Sequence, residues 1–109
     1  MRVLSMYKII TIQSFWDDLE DIALNLDQYG RPNAAESLLS EIKRLSLGLE
    51  EFPRRYRKHI PDSRFVLQTQ YRVMTVKGYH VFYVISEEEK TVELRRIIHR
   101  MMDIDHRLT

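Results

Sequence analysis

The densest chemistry in this sequence lies in one run, Arg54, Arg55, Tyr56, Arg57, Lys58 and His59. Several cations interleaved with one aromatic suit phosphate groups and a stacked base, because electrostatic attraction holds the backbone and a ring face takes the base. The same run also reads as a solvated loop whose charges serve solubility. A second set follows on the C-terminal segments: Arg72, His80, Arg95, Arg96, His99 and Arg100. If these converge, the guanidinium groups can bind a backbone phosphate and stabilise the added charge of a pentacoordinate transition state. An imidazole there can move a proton near neutral pH. Arg72, His80, Arg96 and His59 are therefore the candidates for chemistry. Arg54, Arg55, Arg57, Lys58 and Arg100 are the candidates for holding a polyanionic substrate.

Other chemistries find no footing. There is no cysteine, which excludes disulfides, thiolate metal sites and thiol nucleophiles and fits a reducing cytoplasm. The histidines show no metal-binding spacing, and the three glycines are isolated, so neither a metal, another cofactor nor a phosphate-cradling loop is expected. Apolar runs are too short for a bilayer span, so no membrane association is expected. Net charge is +1, yet residues 14–52 hold nine acids against three bases, and residues 53–109 hold twelve bases against seven acids. An acidic half joined to a basic half suggests an anion-facing surface.

The elements that must position these residues follow from periodicity. Tyr7–Thr11 reads as a strand. Ser14 with Asp17 has capping-box spacing at the head of a helix. Phe15, Leu19, Ile22, Leu26 and Tyr29 form its apolar stripe, with Trp16 and Ala23 beside it; Asp18, Glu20, Asp21 and Asp27 lie opposite. Gly30 to Asn33 breaks this helix. Asn33 and Glu36 begin a second, whose stripe is Ala35, Leu38, Leu39, Ile42, Leu45 and Leu49, ending before Pro53. Two amphipathic helices with a short break form an antiparallel hairpin.

Residues 70–76 alternate as a strand, with Tyr71, Val73 and Thr75 on one side and Arg72, Met74 and Val76 on the other. Lys77 and Gly78 turn the chain into a dense apolar strand, residues 80–85, where Tyr79 and Tyr83 share a face and Phe82 takes the other. Residues 87–90 form a charged turn, and residues 91–99 a further strand, with Val92, Leu94 and Arg96 facing one way and Glu93, Arg95 and Ile97 the other. Residues 63–67 read as a short strand or extended loop; 103–108 is too short and polar to assign. The pattern predicts one α+β domain over residues 1–109: an N-terminal strand, a helical hairpin and an antiparallel meander of three strands, packed as a two-layer sandwich. Met6 offers an alternative start, which would make residues 1–5 dispensable.

A resemblance extends this reading. Tyr71 to Ile85 resembles the paired-strand signature of the RelE/ParE toxin superfamily. So do Glu87 to Val92 at the following turn, Arg96 to His99 with Asp103 near the end, and Leu49 to Pro53 closing the second helix. Together these run from Met6 to Leu108. The resemblance implies a growth-blocking toxin of a bacterial type II toxin–antitoxin system, neutralised by a cognate antitoxin, with operator DNA bound only through that antitoxin. It implies one of two targets: the ribosome and its mRNA, cut without metal by a ribose 2′-hydroxyl in RelE-like members, or DNA gyrase, inhibited without nuclease chemistry in ParE-like members. An inactive module that only binds antitoxin is the third alternative. Two departures bear on the choice. His80 stands where RelE-like nucleases often carry arginine, and Met101 and Met102 precede Asp103 where a second arginine is frequent.

Overall fold

The computed structural model describes residues 6–102 and 104–108. The expectation for residues 1–5 and the motif position at Asp103 lie outside the described residues. The elements run β1 (Lys8–Thr11), α1 (Gln13–Gln28), α2 (Ala34–Ser46), a 3-10 turn (Leu47–Glu50), β2 (Arg72–Val76), β3 (Tyr79–Ser86), β4 (Thr91–His99) and α3 (Ile104–Leu108). This is the expected α+β order. Residues 63–67 form no strand, and the polar tail supplies the short helix α3.

One four-stranded sheet has the order β1-β4-β3-β2. The meander β2-β3-β4 is antiparallel, and β1 joins β4 in parallel. The β2–β3 hairpin closes through Lys77 and Gly78, with φ of 49° and 84°. A two-residue turn needs positive φ at both positions to match the twist of the strands, which is why glycine stands there. The helical hairpin covers one sheet face. Phe15, Leu38, Ile42 and Leu49 pack there on Met74, Val76, Val81, Tyr83, Val92, Leu94 and Ile97. On the other face Tyr71, Val73, Phe82 and Ile98 are met by Leu108, Ile104 and Leu67. This smaller cluster is why α3 folds at all: five residues cannot hold a helix without a surface to bury against.

Two local expectations are overturned, and both corrections concern β4. In the β3–β4 register Tyr83 opposes Leu94 while Phe82 opposes Arg96. Arg95 is the extra residue of a β-bulge, so the alternation inverts after it. Ile97 therefore joins Val92 and Leu94 in the helix-side core, and Arg96 lies opposite Phe82. Ser14 also does not cap α1, whose N-cap is Ile12 with no side-chain bond. Beyond Leu94, β1 has ended and, among the described residues, no strand lies beside the edge of β4. The Ser14 hydroxyl donates to the Arg95 carbonyl at 2.7 Å, and Asp18 accepts the Ile97 N–H at 2.8 Å. Backbone groups at such an edge need partners, and α1 supplies them from its side chains. Asn33 is the N-cap of α2 as expected, though without a side-chain bond.

Candidate functional site

The basic run 54–59 is laid along the outer edge of β2. The Val73 N–H donates to the Arg57 carbonyl (3.1 Å), the His59 N–H donates to the Tyr71 carbonyl (2.8 Å), and Lys58 bridges to Arg72. Alternation then puts Arg57 and His59 on the sheet face opposite the helical hairpin, beside Val73 and Tyr71, and Lys58 on the Arg72 side. The loop is anchored from below. The buried Tyr83 hydroxyl donates to the Pro53 carbonyl at 2.8 Å, and the Arg72 guanidinium donates to the carbonyls of Tyr56 (2.8 Å) and Arg54 (3.4 Å). Burial pushes the Tyr83 phenol up to about 12.

His80 stands on the same open face, half-buried, with Nδ1 3.0 Å from the Thr75 hydroxyl. Burial lowers its basicity first; the positive charges of Arg57, His59, Arg100 and His99 lower it further. A neutral imidazole held at Nδ1 leaves Nε2 for a ligand or a proton. Arg57 and Arg100 are exposed, and the backbone N–H of Arg100 donates to the Gly78 carbonyl of the β2–β3 turn at 3.1 Å. Among the described residues, no carboxylate stands within ion-pair distance of Arg57, Lys58 or Arg100.

The remaining candidates have internal partners. His59 Nε2 is 2.6 Å from Asp105 Oδ1, both side chains nearly closed off from solvent, and the ring meets Phe82 edge-on. Burial works against the Asp105 carboxylate, but the Asp62 N–H and then His59 hold it below the usual carboxylate range. Arg96 donates from Nε and Nη2 to Asp18 (2.7 and 3.0 Å) and from Nη1 to the Arg107 carbonyl (2.7 Å). The Asp18 hydrogen bonds, ahead of the opposing burial, raise Arg96 above the ordinary guanidinium range. Arg54 pairs with Glu87 at the β3–β4 turn, and the Arg55 guanidinium lies over the Tyr56 ring.

Of the nine candidates, the fold thus gathers Arg57, His59, His80 and Arg100 into one neighbourhood. It turns Arg54, Arg55 and Lys58 elsewhere and engages Arg72 and Arg96 inside the structure. Sequence reading missed Thr75, Asp105 and above all Asp18. Asp18 reads as one of several acids on a solvated helix face, and its partner is 78 residues away. No local signal marks it out. Among the described residues no three histidines or acids gather as metal ligands, and no helix is long and apolar enough to cross a membrane.

A second feature is an apolar groove of about 300 Å³ between β1, α1 and α2, lined by Ile9, Phe15, Trp16, Leu39, Leu47 and Leu94. Trp16 and Leu47 are exposed along it. It follows the outer edge of β1, beside which no further strand stands among the described residues.

Residues 9–104 match the family model described as the ParE toxin of the type II toxin–antitoxin system parDE. The chain belongs to that family. Similar solved structures include a chromosomal ParDE system from P. aeruginosa, with TM-score 0.63 and 13% identity over 87% of this chain and 97% of that one. Another is the RelBE toxin–antitoxin complex from Mycobacterium tuberculosis, with TM-score 0.55 and 20% identity over 87% and 99%. These share its fold. No curated protein matches the sequence.

Proposed function

We propose that this toxin inhibits DNA gyrase by binding, without chemistry of its own, and that a cognate antitoxin neutralises it. The observation that carries this reading is the engagement of the sheet's cations. Arg72 is tied to backbone carbonyls, Arg96 to Asp18 and His59 to Asp105. A phosphoryl-transfer site needs preorganised charge aimed at the reacting phosphate, and guanidinium groups already satisfied internally do not supply it. The family match over residues 9–104 supports the same side. For the antitoxin, the apolar groove beside β1 suits an apolar segment, and the outer edge of β1, unpaired among the described residues, can take an extended one.

Titrating the purified toxin into a gyrase supercoiling assay tests this reading, with programmed ribosomes treated in parallel. The expected result is loss of supercoiling with intact message. Message cut in the ribosomal A site, with supercoiling unaffected, would overturn it in favour of a second reading. That reading is a ribosome-dependent endonuclease in which neutral His80 moves the proton while Arg57 and Arg100 hold the phosphate; the nearness of both cations to His80, close enough to lower its basicity after burial has done so, favours it. Neither activity, with antitoxin binding retained, would leave an inactive binding module.

A further inference from the structure

A cavity of about 430 Å³ lies between α1 and the ends of β3 and β4. It shares no lining residue with the basic neighbourhood of His80 or with the apolar groove. Its volume falls within the ~300–1,000 Å³ of small-molecule sites. Asp21 and Asn25 stand one turn apart on its helical wall. Tyr79 and His99, cross-strand partners whose rings meet edge-on at 5.1 Å, line the strand side. Met102 and Arg107 close it from the segment beyond β4. We infer that this cavity is a recognition site for a guanine base, with Asp21 accepting from the N1–H and the 2-amino group and Arg107 donating to O6 and N7. This goes beyond inhibition of gyrase and does not rest on it.

Opposite charges share this cavity without meeting. Among the described residues no cation lies within ion-pair distance of Asp21, and no carboxylate within that distance of Arg107. Arg107 Nη2 donates to the Met102 sulfur at 3.6 Å, a weak acceptor. Asp18, the other acid on the wall, is already engaged by Arg96 and the Ile97 N–H. A ligand that satisfies both charges must present donors at one edge and acceptors at another. A carboxylate or phosphate is repelled by Asp21, and a lysine or arginine side chain by Arg107. A neutral, planar nucleobase meets neither objection. Guanine carries two adjacent donors on one edge and the acceptors O6 and N7 on another. A carboxylate takes paired donors in bidentate fashion, and a guanidinium fits O6 and N7 in the same way. Adenine would set an acceptor against the carboxylate, and uracil offers a single donor between two carbonyls. The remaining lining suits a ring. Ile22 and Ile97 are apolar, and the half-buried Tyr79 and His99 supply aromatic surface for a base. His99 Nδ1 accepts the Met101 N–H at 3.1 Å, which leaves the ring proton on Nε2 as a further donor.

The test is calorimetric titration of the purified toxin with guanosine, inosine, adenosine and uridine 5′-monophosphates. The guanosine nucleotide is expected to bind most tightly. Inosine monophosphate, which lacks only the 2-amino group, should bind about tenfold more weakly. Asp21→Asn should erase that difference. Arg107→Met should weaken guanosine and inosine nucleotides alike, since both keep O6 and N7. Asp21 and Arg107 are exposed, so both variants should keep the wild-type melting curve. Arg31→Ala, which removes an exposed cation at the helical bend, should leave the binding unchanged. A single-stranded pentanucleotide with one central guanosine identifies the source of the base. Tighter binding than the mononucleotide assigns the site to a strand, and equal or weaker binding assigns it to a free nucleotide; either supports the site. No binding of guanosine monophosphate at ~1 mM, equal binding of the adenosine nucleotide, or an Asp21→Asn protein that keeps the guanosine–inosine difference would overturn the inference.

Discussion

The junction between α1 and β4 offers the sharpest test of how this fold holds together. Asp18 accepts from Arg96 Nε, from Arg96 Nη2 and from the Ile97 N–H, at 2.7, 3.0 and 2.8 Å. Its side chain is 14% exposed and that of Arg96 is 24% exposed, so water cannot readily replace either partner. Asp18→Ala would strip a guanidinium and a strand-edge N–H of their acceptor together. Hydrogen bonds to charged groups contribute about 1.5–3 kcal/mol each, and breaking a fully buried pair costs ~3–5 kcal/mol. Partial exposure and salt screening reduce the figure, so a loss of about 2–3 kcal/mol is expected. For a domain of this size that lowers Tm by roughly 10–15 °C. Asp18→Asn, which retains an acceptor for Ile97 but no charge, should fall between. A double-mutant cycle with Arg96→Met, read by urea denaturation, should give a coupling of about 1–2 kcal/mol. If Asp18→Ala cost less than about 0.5 kcal/mol, the pair would be no more than an ordinary surface contact. Arg96 would then be free to meet a phosphate, as a nuclease site requires.

Other consequences follow from the same geometry. Tyr83→Phe leaves the Pro53 carbonyl without its buried donor and should cost about 1–2 kcal/mol in urea denaturation. In the wild type, stability should fall as pH rises from about 10 towards 12, because the unfolded phenol ionises there while folded Tyr83, raised to about 12, keeps its proton. The His80 imidazole should titrate below its ordinary value of about 6.5 in an NMR pH series. Its contribution to stability should be complete above that value and fall as pH drops through it, since the unfolded state takes the proton first; a midpoint at or above 6.5 would contradict the burial and the surrounding charge. Leu47→Glu, placing a carboxylate on the wall of the β1 groove, should weaken antitoxin binding by calorimetry while leaving the melting curve in place, because Leu47 is exposed.

The order of elements was legible before any coordinates because it depends on local rules. Amphipathic stripes define α1 and α2, alternation defines β2, and Lys77 with Gly78 supplies the two positive-φ residues the hairpin needs. The basic run and the histidines were legible as chemistry for the same reason: residue type carries charge and proton affinity wherever it stands. Which of those groups remain available was decided by tertiary contacts. The bulge at Arg95 inverts the end of β4, the shortness of β1 leaves an edge that Ser14 and Asp18 must satisfy, and α3 brings Asp105 to His59. The last two join residues 46 to 81 positions apart. Periodicity reports only near neighbours along the chain, so pairings at that separation exist only once the sheet has closed against its helices.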